Sequence, residues 1–147
     1  MELAYESAEA AQRGLHGYVA AVIESLGLHG AAYCLEPEPL GAYVALDERV
    51  PGFTRRDAAL LWDVRQGWAT AIETGCNEDL IVVSYLGAEP VPAPARVADY
   101  LAAVLRGETP GRTVPPAFSP SQLAEVPARL RRYAATEFPQ HPASAIL

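Results

Sequence analysis

The sequence predicts an α+β fold: an antiparallel meander of four to five strands, flanked by an N-terminal and a C-terminal helix. Three observations carry that expectation. An apolar stripe at helical spacing runs through the first 26 residues. The segment Ala58 to Leu86 reads as three consecutive strands separated by turn signals. A second helical stripe then follows a loop holding three prolines. One domain is expected over residues 1–107, with a proline-rich linker, a short helix and a mobile terminus over 108–147.

Ser7 to Leu26 is the clearest helix. Leu15, Tyr18, Val19, Val22, Ile23 and Leu26 fall on one stripe at the spacing of a 3.6-residue turn. Ser7 is placed as N-cap, with Glu9 in the first turn near the positive end of the dipole. Gly27 is placed to end the helix in a left-handed conformation. Gly14 and Gly17 weaken a helix. With Ala20 and Ala21 they make a small-residue patch, which points to close approach of this helix to the sheet. A self-association seam or a ligand groove is the functional counterpart.

Ala31 to Leu35 is a candidate edge strand, interrupted by Glu36-Pro37-Glu38-Pro39, because proline cannot donate to a ladder. Ala42 to Asp47 is the next strand. Pro51-Gly52 marks a turn. Ala58 to Val64 and Trp68 to Glu73 form a hairpin closed by Arg65-Gln66-Gly67, with Gly67 at the positive-φ position. Leu80 to Leu86 is the last strand. A strand with one wet face alternates apolar and polar residues, and these strands barely alternate, so the sheet requires cover on both faces. The two helices cover one face. The other awaits the tail helix, a second copy or a partner protein. Pro94 opens the second helix, with Val97, Tyr100, Leu101, Val104 and Leu105 as its stripe and Gly107 as its end. In the tail, Ser119-Pro120 or Val126-Pro127 can begin a short helix reaching about Glu137. Phe138 to Leu147 is expected to be mobile.

Composition excludes several functions. The 147 residues are half hydrophobic and one fifth charged, with a net charge of −7. There is no lysine, so a Schiff base, a P-loop lysine and a lysine base are all excluded. Residues 1–107 hold 15 acids against 7 arginines, whereas the tail holds 3 against 4. An acidic body disfavours nucleic acid and anionic membranes, both polyanionic. No run is long enough to span a bilayer, and the acidic N-terminus lacks a secretory pattern. A cytoplasmic protein with reduced Cys34 and Cys76 is expected. The abundant alanine and all-arginine basic set suggest a GC-rich genome.

The segments LLWDVRQGWATAIET, EDLIVVSYLG and PAPARVADYLAAVLRG, with the helix HGYVAAVIESLGL, resemble a family of small actinobacterial proteins classed as a domain of unknown function. The matching residues are Leu60-Leu61-Trp62-Asp63, Gly67-Trp68, Glu73, Leu86-Gly87 and Pro92-Ala93-Pro94. The resemblance covers Leu15 to Gly107. It implies a common fold and an actinobacterial source, and it brings no reaction, cofactor or catalytic residue. In element order the chain is also similar to bacterial secretion chaperones and helix–meander–helix regulators, which bind other proteins.

Chemistry-bearing patterns are sparse. His16, His29 and His141 are scattered, and neither cysteine sits in a metal-ligand spacing, so no metal or cofactor is expected. Cys76 stands beside Glu78 and Asp79, which raise a thiol pKa and disfavour a reactive thiolate. There is no Gly-x-Ser-x-Gly elbow. Asp57, Asp63 and Glu73 are carboxylates in a mostly apolar sheet and require partners, with Arg55 or Arg56 nearest. They form either a structural ion pair fixing the hairpin or a polar site with an arginine anion clamp. Trp62 and Trp68 are near cross-strand neighbours. With Tyr43, Phe53 and Tyr85 they can line a core, an interface or a pocket, depending on register.

The leading expectation is a non-enzymatic interaction or regulatory module, homodimeric or bound to a partner protein. The alternative is a small-molecule-binding protein or small enzyme. Its pocket would lie between sheet and helices, lined by Trp62, Trp68 and Tyr85, with polarity from Asp63, Glu73 and an arginine.

Overall fold

The computed structural model describes residues 2–28, 30–74 and 79–135, with residues 2–8 described as backbone only. His29, Cys76, His141 and the segment Phe138 to Leu147 therefore lie outside the described residues.

The fold is α+β. Helix α1 (Glu2–Leu26) precedes five strands, β1 (Tyr33–Pro37), β2 (Leu40–Ala45), β3 (Ala58–Asp63), β4 (Gly67–Glu73) and β5 (Leu80–Tyr85). Helix α2 (Pro94–Leu105) and two short helices, α3 (Pro120–Ala124) and α4 (Val126–Arg131), complete the chain. The strands form one antiparallel sheet in sequence order. This is the meander expected when each connection is a short turn.

Helix α1 begins at Glu2, not at a cap on Ser7. The stretch ahead of Ser7 is rich in Glu, Leu and Ala, strong helix formers with no breaker among them. The helix ends as expected. Gly27 N–H donates to Glu24 O at 3.0 Å and Leu28 N–H to Ile23 O at 3.2 Å, the paired bonds of a Schellman motif. Helix α2 ends in the same way. Gly107 N–H donates to Val104 O and Glu108 N–H to Ala103 O, both at 3.0 Å.

The edge of the sheet is shifted from its expected place. Strand β1 runs through Glu36 to Pro37, and the turn to β2 is made by Glu38 and Pro39, joined by a cis peptide bond. The prolines thus lie at the strand end and in the turn, where no ladder donor is needed. Strand β2 accordingly starts at Leu40, two residues before the expected Ala42.

The central hairpin settles a register that the sequence left open. Trp62 pairs with Trp68 and Asp63 with Gly67. The Asp63 carboxylate accepts the Gln66 N–H at 2.8 Å across the turn. Gly67 has φ +66. Between β4 and β5 the register slips at Thr70/Ala71, so Val83 is an extra residue on β5.

Alternation assigns side chains to two faces, because directly paired residues share a face. The inner face carries Ala42 and Val44, Leu60 and Trp62, and Trp68, Thr70 and Ile72. It packs on Leu15, Tyr18, Val19 and Val22 of α1 and on Val97, Leu101 and Val104 of α2. The outer face carries Tyr43 and Ala45, Ala59 and Leu61, and Ala69 and Ala71.

Helix α4 of the tail does not lie over the outer face. Val126 and Leu130 of α4 are buried in the same core as the tryptophans, and α4 lies against α1 on the inner side. The small-residue patch of α1 thus answers α4 rather than the sheet. A methyl on Gly14 would run into the backbone carbonyl of Leu130. Helix α1 is enclosed by sheet, α2 and α4, and Gly17 to Ala20 are buried all round the helix. Both tail helix starts foreseen in the sequence are used. Ser119 and Gln122 form a capping box, with Ser119 Oγ accepting at 3.1 Å and Gln122 Oε1 accepting at 2.9 Å. Helix α4 ends at Arg131, short of Glu137, and passes into a turn.

Gly14→Ala is expected to lower the melting temperature, although alanine improves helix propensity by about 1 kcal/mol. The steric clash with Leu130 outweighs that gain. Leu130→Ala is expected to cost about 2–5 kcal/mol, as for other fully buried leucines. Chemical denaturation of both variants checks the docking of α4.

Candidate functional site

The two tryptophans are core residues with partnered indoles. Trp62 and Trp68 are 2% and 1% exposed. Trp62 Nε1–H donates to Pro90 O at 2.7 Å. Trp68 Nε1–H donates to the Tyr18 hydroxyl at 3.0 Å. That hydroxyl, already an acceptor, donates its own proton to Pro92 O. The Tyr18 ring lies 5.0 Å from the Tyr133 ring and 6.0 Å from the Trp68 ring, both tilted. One phenol thereby ties the sheet, α1, the proline loop and the end of the tail together. Burial pushes its pKa well above the ordinary tyrosine value of 10.0.

A second tyrosine joins α2 to the sheet. Tyr100 OH donates to Ser84 O at 2.9 Å, so its single proton is used. Thr70 Oγ1, 2.9 Å from the same oxygen, is therefore the donor in that contact. Thr70 is fully buried, the one such polar residue in the described core. Among the described residues, no buried side-chain nitrogen or oxygen lacks a partner. Neither tyrosine was singled out as polar in the sequence reading. Each sits on an apolar helical stripe, where a phenol and a leucine give the same periodic signal.

The remaining candidates lie elsewhere. Tyr85 is on the outer face opposite Ala69. Its N–H and C=O pair with Arg112 at 2.7 and 2.9 Å, so the linker closes the β5 edge. The linker also brings Phe118 beside Gly67. Asp63 is exposed and Glu73 half-buried, both on the outer face at opposite ends of the hairpin. Six residues of strand separate their rows, about 20 Å. Glu73 accepts a long hydrogen bond from Tyr43 OH at 3.4 Å. Tyr43 has a raised pKa, through burial first and the neighbouring Glu73 charge second.

The arginine pairing differs from expectation. Asp57 pairs with Arg49 at 3.2 Å, not with Arg55 or Arg56. Arg49 also donates to Thr54 O at 3.0 Å, so one guanidinium straps the turn between β2 and β3. Arg56 donates to the Thr74 carbonyl instead of to Glu73. Arg55 is exposed. The Arg49–Asp57 pair is itself well exposed and contributes little to stability.

These positions do not converge on one pocket. Trp62 and Trp68 face inward, whereas Asp63, Glu73 and Tyr85 belong to the outer face. A strand puts successive side chains on opposite faces, so Trp62 and Asp63 cannot line one cavity. Among the described residues there is no group of three His, Cys, Asp or Glu side chains placed to hold a metal ion. No described helix is long and apolar enough to cross a membrane.

The geometry brings together a different surface. The outer face has an apolar centre of Tyr43, Ala45, Leu61 and Val82, all half-buried, over Ala59 and Ala71, which are closed to solvent. No described helix packs on it. Residues 18–103 match the sequence model of a family of unknown function, DUF6292. No curated protein and no solved structure matches the chain.

Raised tyrosine pKa values have a definite sign in stability. Above pH 10 the unfolded chain loses phenolic protons that Tyr18 and Tyr100 keep when folded. Stability is fully present below that value and falls as pH rises above it, until the folded phenols also ionise. Tyr18→Phe is expected to cost about 2 kcal/mol at neutral pH, by orphaning the Trp68 N–H and the Pro92 carbonyl. The same variant should flatten the alkaline fall. Urea denaturation at neutral pH and above pH 10 measures both.

Proposed function

This chain belongs to the DUF6292 family, whose function is unknown, and we propose that it acts as a non-enzymatic protein-interaction module. Its working surface is the outer face of the sheet. One observation carries the reading: helices α1, α2 and α4 are spent on the inner face, and the outer face is apolar at its centre with no described helix packed over it. An antiparallel sheet with a solvated face normally alternates apolar and polar residues. Here the central outward positions of β2 to β4 are Tyr43, Ala45, Ala59, Leu61, Ala69 and Ala71.

The composition of the surface supports the same reading. Five strands at about 4.8 Å spacing span roughly 19 Å and strands of this length run about 20 Å, so the whole outer face, acidic end rows included, covers roughly 400 Å². Its apolar centre is contiguous, and such a patch on a protein surface is often functional. Buried polar groups on the inner side are already satisfied by one another, which leaves the interior as packing rather than chemistry. A reducing, cytoplasmic setting is part of the proposal and fits the exposed free thiol of Cys34.

Leu61→Asp is expected to leave circular dichroism and melting near the parent values, because Leu61 is half-exposed and outside the core cluster. It is expected to abolish stoichiometric association of the chain with its protein partner. Quantitative affinity capture from the native host, comparing parent and variant, measures this. Equal recovery of every associated protein by both would remove the outer face from the function.

A further inference from the structure

The partner class follows from what surrounds the apolar centre. We propose that the outer face receives a basic protein segment, one with an apolar middle and arginine or lysine at its ends. The proposal rests on reading the outer face as an interaction surface, and deepens it.

Register places Glu36, Gly41, Asp63 and Gly67 in one row across β1 to β4. This row closes one end of the outer face. Both its carboxylates are exposed, and a bare glycine lies between them. Their strands are two spacings apart, about 10 Å. At the other end of the hairpin stands Glu73. No position of the five strands carries a basic side chain on the outer face, where Glu36, Asp63 and Glu73 are the charged groups; the nearest arginine paired to that face is Arg112, bridged to Tyr85 at the far β5 edge. The described ion pairs involve Glu9, Asp57, Glu89, Glu108 and Glu125; Glu36, Asp63 and Glu73 take part in none of them. Of the arginines near the ends of the outer face, Arg49 and Arg56 are engaged with the β2–β3 turn and the Thr74 carbonyl, whereas Arg55, Arg65 in the hairpin turn and Arg112 opposite Tyr85 are exposed and take part in none of the described ion pairs.

Charge complementarity selects the occupant. A second copy seated on this face would set acid rows against an acid-bearing surface in either orientation, within a chain of net charge −7. Like charges brought together across an interface are repelled, and this suppresses the wrong partner. Nucleic acid is repelled for the same reason. A segment with cationic ends satisfies Glu36 and Asp63 at one end and Glu73 at the other while its middle covers Tyr43, Leu61 and Val82. Arginine suits the pair of carboxylates because its guanidinium offers five donors in a planar fork.

The test uses two short synthetic peptides with the same alternating leucine–valine centre, one flanked by arginines and the other by glutamates. Each is titrated into the full chain, and amide resonances of β2 and β3 report binding and its location. The arginine-flanked peptide is expected to bind about tenfold or more tighter, a difference of about 1.4 kcal/mol. The double variant Glu36→Gln/Asp63→Asn should erase most of that advantage and its salt dependence. It should leave the fold intact, since asparagine keeps the acceptor for the Gln66 N–H. Equal affinity of the two peptides, both lost in Leu61→Asn, would overturn the basic partner while leaving the outer face as an interaction surface. Binding by neither peptide overturns the basic partner, and outer-face amides unmoved by any added protein would take the interaction reading with it. A parent chain that sediments as a dimer, and becomes a monomer in Leu61→Asp, would put a second copy on the face and overturn the proposal.

Discussion

The Tyr18 hydroxyl is the joint on which the rest of the structure depends. It accepts from the Trp68 indole and donates to the Pro92 carbonyl, with Tyr133 against its ring. Four parts of the chain that are far apart in sequence meet there: the first helix, the central hairpin, the proline loop and the tail. A buried phenol with both functions satisfied is a net stabiliser, whereas any one partner alone would leave a polar group stranded in the core. The Tyr100 hydroxyl repeats the device between α2, β4 and β5. Together they fix the helical layer over the sheet at two points, with no charged side chain in the described core.

This arrangement uses up the inner face and defines the outer one. Helix α1 is enclosed by sheet, α2 and α4, so the tail adds a third layer on the helical side instead of a roof on the other. The outer face keeps small residues under half-exposed larger ones. Ala59, Ala69 and Ala71 are closed to solvent, and Tyr43, Leu61 and Val82 are half-buried. A face built in this way is flat, apolar and bordered by acids.

Much of the fold was legible in the sequence, because its signals are local. The stripe on α1, the glycine at the hairpin, the proline at the first turn of α2 and the serine cap of α3 each act within one turn of chain. The apolar runs and the turn at Gly67 were enough for the hairpin, but its register, and with it the shared inner face of both indoles, came only from the structure. The boundaries were less legible. Ser7 looked like a cap, yet the preceding residues are equally helical, and a serine inside a helix leaves no contrary mark. The prolines around Glu38 looked like an interruption, whereas they form the turn itself.

The candidate site was legible only as a list of residues. Sequence determined by itself that the chain is acidic, lysine-free, α+β, and too apolar in its strands for a sheet with one dry face. It could not decide which residues meet. Arg49 and not Arg55 or Arg56 holds Asp57, because the turn folds back on itself. Gly14 answers the tail helix and not the sheet, because α4 docks across more than a hundred residues of intervening chain. Trp62 and Asp63 are neighbours in sequence and lie on opposite faces, because a strand alternates. Periodicity reports that a side chain is buried. Only tertiary packing decides against what, and which face of the sheet the described helices cover.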